Sequence, residues 1–153
     1  MMLVAKTFCS ERDLDSWIRW LDTEARRNLD PMPEGRTFLD GSNPLEAYLF
    51  DSGNRQTFTV IDVTDCQKQV GGFILRPGGS DAGPGVAYIE AVIVAPELRK
   101  TGIGAKMVGL VKETARGLGY SGLCASVFVD NPAAIRWLEL AGLREGRWFA
   151  GAI

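Results

Sequence analysis

The chain has 153 residues, of which 46% are hydrophobic and 24% charged, a balance typical of a globular protein with one domain over residues 1–153. Its net charge of −2 gives no general attraction to nucleic acid. The sequence contains no histidine, which excludes Ser-His and Cys-His catalytic pairs and histidine metal sites, and we expect no metal site.

The distribution of charged and apolar residues along the chain indicates what kinds of partner the protein could have. Residues 1–51 carry ten Asp or Glu and six Lys or Arg, whereas residues 52–153 carry nine and eleven. This indicates either two solvated faces, or an acidic part that meets a cationic molecule and a basic part that holds an anion. No run approaches the roughly 20 apolar residues that span a bilayer, and the start lacks the pattern of a secretory signal. We therefore predict a cytoplasmic protein without a membrane partner.

The first half of the chain predicts a strand, two helices and a hairpin. MLVAKTF is typical of a strand, and Ser10 is expected to cap a helix whose apolar stripe is Leu14, Trp17, Ile18 and Leu21. After the break PMPEG, the segment SNPLEAYLFDSG predicts a short helix capped by Ser42 or Asn43. QTFTVIDVT and QVGGFILR, joined by the turn DCQKQ, predict an antiparallel hairpin.

The second half predicts strands that alternate with helices. VAYIEAVIV is expected to be a strand buried on both faces. From Ile103 the apolar period is that of a helix, which ends at GLG, and LCASVFV predicts another central strand. Pro132 begins a last helix that ends at Gly142, and LREGRWFAGAI has room for one more strand. This order predicts a mixed α/β fold around one sheet.

The turn VAPELRKTGIGA lies between a predicted strand and a predicted helix. Such a turn can bind an anion, because the first N–H groups of a helix have no partner within it, and Arg99 and Lys100 add positive charge. A nucleotide P-loop needs four residues between its glycines, but one residue separates Gly102 and Gly104. A dinucleotide-binding fingerprint needs a glycine where Met107 stands.

A third anion-binding pattern does fit this turn. It resembles V-x-P-x-x-R/Q-x-x-G-x-G/A, the pyrophosphate loop of the GNAT superfamily of acyl-CoA-dependent N-acyltransferases, and the matching residues are Val94, Pro96, Arg99, Gly102 and Gly104. The segment DNPAAIRWLELAGL is similar to the family's N-x-x-A-x-x-x-Y-x-x-x-G-F, with agreement at Asn131, Ala134 and Gly142. Leu138 stands at the tyrosine position and Leu143 at the phenylalanine position. The resemblance covers residues 56–143.

This resemblance implies the fold and the binding site for acetyl-CoA. The fold would be α/β (α+β), a single domain with a mixed, mostly antiparallel sheet of six to seven strands flanked by about four helices. The strands AYIEAVIV and LCASVFV would splay apart, with the pantetheine arm in the gap between them. Arg99 would brace the loop more than contact the ligand. The implied cofactor-binding residues are Ile93, Val94, Arg99, Lys100, Thr101, Gly102, Ile103, Gly104, Asn131 and Ala134.

The resemblance also implies the catalytic residues. Glu90 stands four residues before Val94, where many members of the family place a carboxylate that acts as a base; the alternative is a buried carboxylate bonded to nearby backbone. Leu138 cannot protonate the leaving thiolate as the tyrosine of other members does. Tyr88 shares a strand face with Glu90 by parity, and it is the first candidate to replace that tyrosine as the proton donor.

The predicted function is transfer of an acetyl group from acetyl-CoA to a primary amine of a small molecule or peptide, directly within a ternary complex. The acidic N-terminal part favours a cationic acceptor. The alternative is a non-catalytic acyl-CoA-binding or regulatory module, which Leu138 favours.

The family usually ends with two strands, and room for one here predicts a homodimer. Four aromatic residues predict either core packing or an acceptor pocket: Trp17, Trp20, Tyr48 and Phe50.

Overall fold

The computed structural model describes residues 1–21, 39–50, 54–79, 82–127, 131–146 and 149–153. The helices and strands in these ranges are β1 (Leu3–Thr7), α1 (Ser10–Trp20), α2 (Pro44–Leu49), β2 (Gln56–Asp62), β3 (Lys68–Pro77), β4 (Val86–Val94), α3 (Ile103–Gly117), β5 (Gly122–Ala125), α4 (Pro132–Leu140) and β6 (Phe149–Ala152). A short 3-10 helix, Pro96–Leu98, lies between β4 and α3. This order of elements confirms the prediction.

Some predicted features lie outside the described residues. They are the break PMPEG, the end of the segment SNPLEAYLFDSG, part of the loop after β3 and the last residues of the predicted strand LCASVFV. Among the helices that the structure does describe, none combines the length and the apolar character needed to cross a membrane.

The described strands form one sheet in the order β1-β2-β3-β4-β5-β6. Every neighbouring pair is antiparallel except β4 and β5, which run parallel. The parallel pair is possible because α3 connects the end of β4 to the start of β5 across one face of the sheet. The sheet is therefore mixed and mostly antiparallel, as predicted, and β6 is the one strand expected after Gly142.

Two hydrophobic cores lie on opposite faces of this sheet, because the adjacent strand residues Phe73 and Ile74 belong to different ones. The main core packs α3 and α4 against the sheet and includes Ile103, Met107, Val111 and Leu138. The second core packs α1 and α2 against the other face and includes Trp17, Trp20, Leu45 and Leu49. Each face of the sheet thus has its own helical layer.

The start of α1 differs from the prediction. Cys9, and not Ser10, is the N-cap residue, and its side chain makes no capping hydrogen bond. Asp13 stabilises this end of the helix in another way: its fully buried carboxylate accepts hydrogen bonds from the Cys9 N–H at 2.9 Å and from Arg12 Nε at 2.6 Å. The cap of α2 is one of the two predicted residues, since the Asn43 side chain accepts the backbone N–H groups of Leu45 and Glu46.

A β-bulge interrupts β4 at Glu90. The pairing with β3 shifts between Ile74 and Leu75, and Glu90 has no residue opposite it on β3. The bulge reverses the faces of the strand, so the buried side chains before and after it enter different cores: Ala87 and Ile89 the main core, Ala91 and Ile93 the second core. β4 therefore contributes buried side chains to both faces, as predicted, but burial alternates along the strand and leaves Tyr88 and Glu90 partly exposed.

Candidate active site

The gap between β4 and β5 is the first part of the candidate site. The two strands pair only from Val86 to Tyr88 on β4 and from Gly122 to Cys124 on β5. β4 continues for six more residues, to Val94, without a β5 partner among the described residues. The predicted splayed strand pair is therefore present, and Ile93 and Val94 lie on its unpaired part. An extended chain of suitable length can hydrogen bond to such a strand edge.

The loop between β4 and α3 is the second part. Lys100 has φ 65° and Gly102 has φ 90°, so two of its residues adopt the left-handed conformation, and Gly102 is the N-cap residue of α3. No side chain in the described part of the chain caps α3. The first N–H groups of the helix, from Ile103 onward, therefore point out of its end without intrahelical partners, where an anion can accept them.

One predicted amide donor of this loop already has a partner. The Thr101 N–H donates to the Leu98 carbonyl oxygen at 3.3 Å, and the Thr101 hydroxyl donates to the same oxygen. Thr101 therefore closes the turn that precedes α3. The loop still offers the amides at the end of the helix to an anion.

Two side chains, those of Arg99 and Trp137, hold the loop in place through hydrogen bonds. Arg99 donates through Nε to the Val94 carbonyl oxygen at 3.3 Å and through Nη2 to the Trp20 carbonyl oxygen at 3.5 Å, which connects β4 to the end of α1. Trp137 of α4 donates its indole N–H to the Gly104 carbonyl oxygen at 2.7 Å. These contacts fit the expectation that Arg99 holds the loop in place, and they give Trp137 a similar role.

Asn131 and Ala134 lie at the start of α4. The Asn131 side-chain oxygen accepts the Ala134 N–H at 3.2 Å, which makes Asn131 the N-cap residue of this helix. The two residues of the second sequence motif thus share one structural role in the protein. A ligand could accept a hydrogen bond from the Asn131 amide nitrogen or donate one to its oxygen, which has a second lone pair.

A cluster of polar and aromatic side chains surrounds Glu90, and we call it the Glu90 cluster: Tyr48, Arg55, Arg76, Tyr88 and Glu90. Arg76 Nε lies 3.7 Å from Glu90 Oε1, and Arg55 Nε lies 3.8 Å from Glu90 Oε2. The Arg55 guanidinium carbon stands 3.9 Å from the centre of the Tyr48 ring, and that of Arg76 stands 4.1 Å from the centre of the Tyr88 ring. Helix α2, the segment before β2, β3 and β4 all contribute to this cluster.

The position of Glu90 combines burial with an unused oxygen. Its side chain is 20% exposed, and its buried Oε2 atom has no hydrogen-bond partner among the residues that the structure describes. Glu90 is also the bulged residue of β4, two residues beyond the last residue that pairs with β5. The structure thus places a carboxylate acceptor beside the start of the strand gap. Tyr88 lies on the same side, as parity predicted, since both residues contact Arg76.

Tyr48 keeps its phenolic proton tightly. Burial raises the pKa of Tyr48, an effect that the nearby Arg55 opposes and the Glu90 carboxylate strengthens. A phenol already has a higher pKa than a thiol, about 10 against about 8.5. Tyr48 is therefore suited to donate a hydrogen bond in this cluster and poorly suited to give up its proton to a thiolate.

Leu138 and the cysteines do not supply a replacement for the missing proton donor. Leu138 is 4% exposed and belongs to the main core. Cys124 is buried on β5, and this burial raises the pKa of its thiol, as expected of a reduced structural cysteine. Cys9 and Cys66 are exposed thiols without a disulfide. Within the described ranges, no three metal-ligating side chains lie together.

The aromatic residues predicted to serve either packing or an acceptor pocket divide between these roles. Trp17 and Trp20 are fully buried in the second core, and the Trp17 indole N–H donates to the Thr59 hydroxyl at 3.1 Å. Tyr48 belongs to the Glu90 cluster, and Phe50 is 64% exposed. Sequence reasoning missed Arg55 and Arg76, because nothing in their local sequence distinguishes them from solvated arginines.

Two surface hollows lie near α2. The larger, of about 400 Å³, is lined by residues from Gly41 to Phe50 and does not include Glu90. The smaller, of about 230 Å³, lies between the ends of β1 and α2 and the start of β2, and Arg55 is among its lining residues. The smaller hollow is thus connected to the Glu90 cluster through Arg55.

Comparison with known proteins gives a family and a fold. The sequence model of the acetyltransferase (GNAT) family matches residues 14–143. No curated protein matches the chain significantly. Among solved structures, an aminoglycoside acetyltransferase, AAC(6')-Ib in complex with coenzyme A and kanamycin, superimposes with a TM-score of 0.75 at 16% identity, covering 99% of this chain and 95% of that one.

Two further solved structures have the same fold. A spermidine N-acetyltransferase chimera of Vibrio cholerae SpeG and hSSAT has a TM-score of 0.72 at 18% identity and covers 95% of this chain and 82% of its own. A domain from Methanocaldococcus jannaschii has a TM-score of 0.74 at 16% identity and covers 99% of both chains. At these identities the similarity concerns the fold alone.

Proposed function

The chain belongs to the acetyltransferase (GNAT) family, and from this premise we propose that it transfers an acetyl group from acetyl-CoA to a primary amine of a small molecule or peptide. One observation carries the proposal: the strand gap opens at one end toward the uncapped start of α3 and begins, at the other, beside the Glu90 carboxylate. The solved relative with coenzyme A and kanamycin supports the choice of acetyl-CoA as cosubstrate.

We assign the binding of acetyl-CoA to the gap and the loop. The pantetheine arm would lie along Ile93 and Val94, where the edge of β4 has no β5 partner. The diphosphate would accept N–H groups of this loop other than that of Thr101, chiefly those of Ile103 and Gly104 at the helix end, where the helix dipole favours negative charge. The Asn131 and Ala134 segment would contact the arm or the adenosine side.

The reaction would proceed by direct attack of the amine on the thioester. An amine with a pKa near 10.4 is neutral in roughly one molecule in two thousand at pH 7, so a base that removes the proton has a large effect. Glu90 would accept this proton as the new C–N bond forms and the C–S bond breaks. The thiolate of CoA would then take a proton from Tyr88 or from water, since Leu138 lies in the main core.

The second candidate function is a non-catalytic acyl-CoA-binding or regulatory module. The position of Leu138 favours it, because the usual proton donor is replaced by a core side chain. A thiol can leave without full assistance, since its pKa is about 8.5, so the loss of the donor is compatible with slow turnover.

A thiol-release assay across a panel of primary amines separates the two functions. The enzyme predicts release of CoA that depends on both acetyl-CoA and an amine, with the acetylated amine detected by mass spectrometry. Tight binding of acetyl-CoA without turnover on any amine would favour the module. A variant of the proposed base, Glu90→Gln, has Glu97→Gln as its matched control, because Glu97 is an exposed glutamate on the 3-10 helix that follows β4.

Three finer expectations stay predictions. The cationic acceptor was predicted from ten acidic residues in residues 1–51, half of which lie outside the described residues. The homodimer was predicted from the single strand after Gly142, and light scattering at micromolar concentration would test it against a monomer. The cytoplasmic location was predicted from the sequence start and would be tested by cell fractionation.

A further inference from the structure

The Glu90 cluster places two guanidinium groups beside one carboxylate. Arg55 and Arg76 contribute two positive charges, and Glu90 contributes one negative charge. The two ion pairs measure 3.8 and 3.7 Å, longer than the 3.2 Å or so of a direct hydrogen bond. The carboxylate therefore partly balances both guanidinium groups without using their N–H donors directly.

Stacking holds both guanidinium groups in place. Each lies over a tyrosine ring, at 3.9 Å for Arg55 and 4.1 Å for Arg76. Stacking uses the flat face of a guanidinium and leaves its N–H groups in the plane, where they can bind both oxygens of one oxyanion. Within the described residues, the Arg76 guanidinium makes one hydrogen bond, a long one of 3.4 Å from Nη1 to the Pro77 carbonyl oxygen.

A polyamine or another purely cationic acceptor suits this arrangement poorly. Its ammonium group at Glu90 would stand close to the Arg76 guanidinium, whose Nε lies 3.7 Å from that carboxylate, and like charges close together in a partly buried site repel strongly. An acceptor that brings its own negative group avoids this cost. Its ammonium group can lie at Glu90 while its oxyanion lies at an arginine.

On the premise of the proposed N-acetyltransferase function, we infer that the acceptor is an α-amino acid or a close analogue, with an oxyanion near the reacting amine. Arg76 binds the carboxylate of the acceptor, and Glu90 accepts hydrogen bonds from its amine. Because Arg76 Nε and Glu90 Oε1 are only 3.7 Å apart, the two groups that they bind must be separated by few bonds, as they are in an α-amino acid.

The test compares the common amino acids with their amides and with spermidine as acceptors, at saturating acetyl-CoA. The amide removes the negative charge and keeps the size and the side chain. It also lowers the pKa of the amine, which favours the amide as a nucleophile, so this bias works against the inference. We expect the best amino acid to exceed its own amide about 10- to 100-fold in kcat/KM, as charged hydrogen bonds of this kind contribute.

Variants of Arg76 show whether this side chain binds the carboxylate of the acceptor. Arg76→Gln should lower the ratio of amino acid to amide about tenfold or more, chiefly through the KM of the amino acid. Arg76→Lys should retain part of the ratio, because a lysine keeps the charge but loses the planar pair of donors. If Arg76 only positions Glu90, both acceptors should slow equally and the ratio should stay. Arg116→Gln, an exposed arginine at the far end of α3, is the matched control.

The outcomes separate this inference from the proposed function. Faster acetylation of amides or spermidine than of any amino acid would overturn the inference and leave the N-acetyltransferase intact. If no amine reacts although CoA binds, the proposed function fails, and calorimetry of the same amino acids and amides with the protein–CoA complex decides the inference. Binding of an amino acid that Arg76→Gln abolishes would support it, and binding of neither set would overturn it.

Discussion

The two halves of the candidate site are built from different material. The acetyl-CoA half, from the strand gap to the start of α3, consists mainly of backbone: an unpaired strand edge, two left-handed residues and an uncapped helix end. The acceptor half is the Glu90 cluster, which consists of five side chains from four segments of the chain. A site made of backbone restricts the residue type at each position with an unusual conformation, such as Gly102. A site made of side chains can change its charge by substitution while the fold stays the same.

The largest expected effect separates chemistry from cosubstrate binding. Glu90→Gln removes the base but keeps the size of the side chain, so kcat should fall about 10²- to 10⁴-fold while CoA affinity stays within about twofold. Steady-state kinetics and calorimetry check the two halves separately. The Glu97→Gln variant should behave like the wild type in both. An unchanged kcat and pH profile for Glu90→Gln would show that the acceptor half lacks this base.

The next prediction concerns the packing of α1 against β3. A Cβ at Gly72 would lie 2.3 Å from Trp17 Cζ2 and 2.7 Å from the Phe58 carbonyl oxygen. Gly72→Ala should therefore lower the free energy of unfolding by about 1 to 3 kcal/mol, measured by urea denaturation. Gly109→Ala is the control, since nothing lies within 4 Å of its Cβ and alanine favours a helix. Equal stability of the two variants would contradict the tight contact of Trp17 with β3.

A matched pair of glycines tests the backbone of the acetyl-CoA half. Gly102→Ala places a side chain at φ 90°, which should cost about 1 to 2 kcal/mol. This cost should be seen as lower stability or as CoA affinity reduced about tenfold. Gly104→Ala has no such strain, and its Cβ would lie 3.6 Å from Val94 and 3.7 Å from Trp137, so both properties should be nearly unchanged. Identical behaviour of the pair would mean that the left-handed turn is not required.

The smallest prediction concerns the pH dependence of stability. Burial raises the pKa of Tyr48, so the folded protein holds this proton more tightly than the unfolded chain does. The stability that this provides is complete below a pH of about 10, the pKa of an unperturbed phenol, and is lost as the pH rises through the folded-state pKa. Tyr48→Phe should therefore flatten the alkaline loss of stability, compared by urea unfolding at neutral and alkaline pH. Tyr120→Phe provides the control outside the cluster, and an unchanged slope for Tyr48→Phe would contradict the assignment.

The same difference explains how much the sequence could predict. The order of elements and the loop were predictable because Gly102, Pro96 and the change of apolar period each have a backbone cause. The gap between β4 and β5 was expected only because the resemblance to the family implied it. The bulge at Glu90 was not, because it depends on the pairing of β4 with β3 and leaves no local signal. The partners of Glu90 were not predictable either, since Arg55 and Arg76 meet it only after β2, β3 and β4 have aligned. The Ser10 cap failed because the helix begins one residue earlier than predicted, with Cys9 as its N-cap residue and Asp13 binding the Cys9 N–H.

The position of coenzyme A in a crystal structure of its complex with this protein tests the central claim most directly. The claim predicts the pantetheine arm between β4 and β5 along Ile93 and Val94, and diphosphate oxygens at hydrogen-bond distance, about 3 Å, from the amide nitrogens of Ile103 and Gly104. A diphosphate bound elsewhere, or no binding of coenzyme A by calorimetry at millimolar concentration, would contradict it.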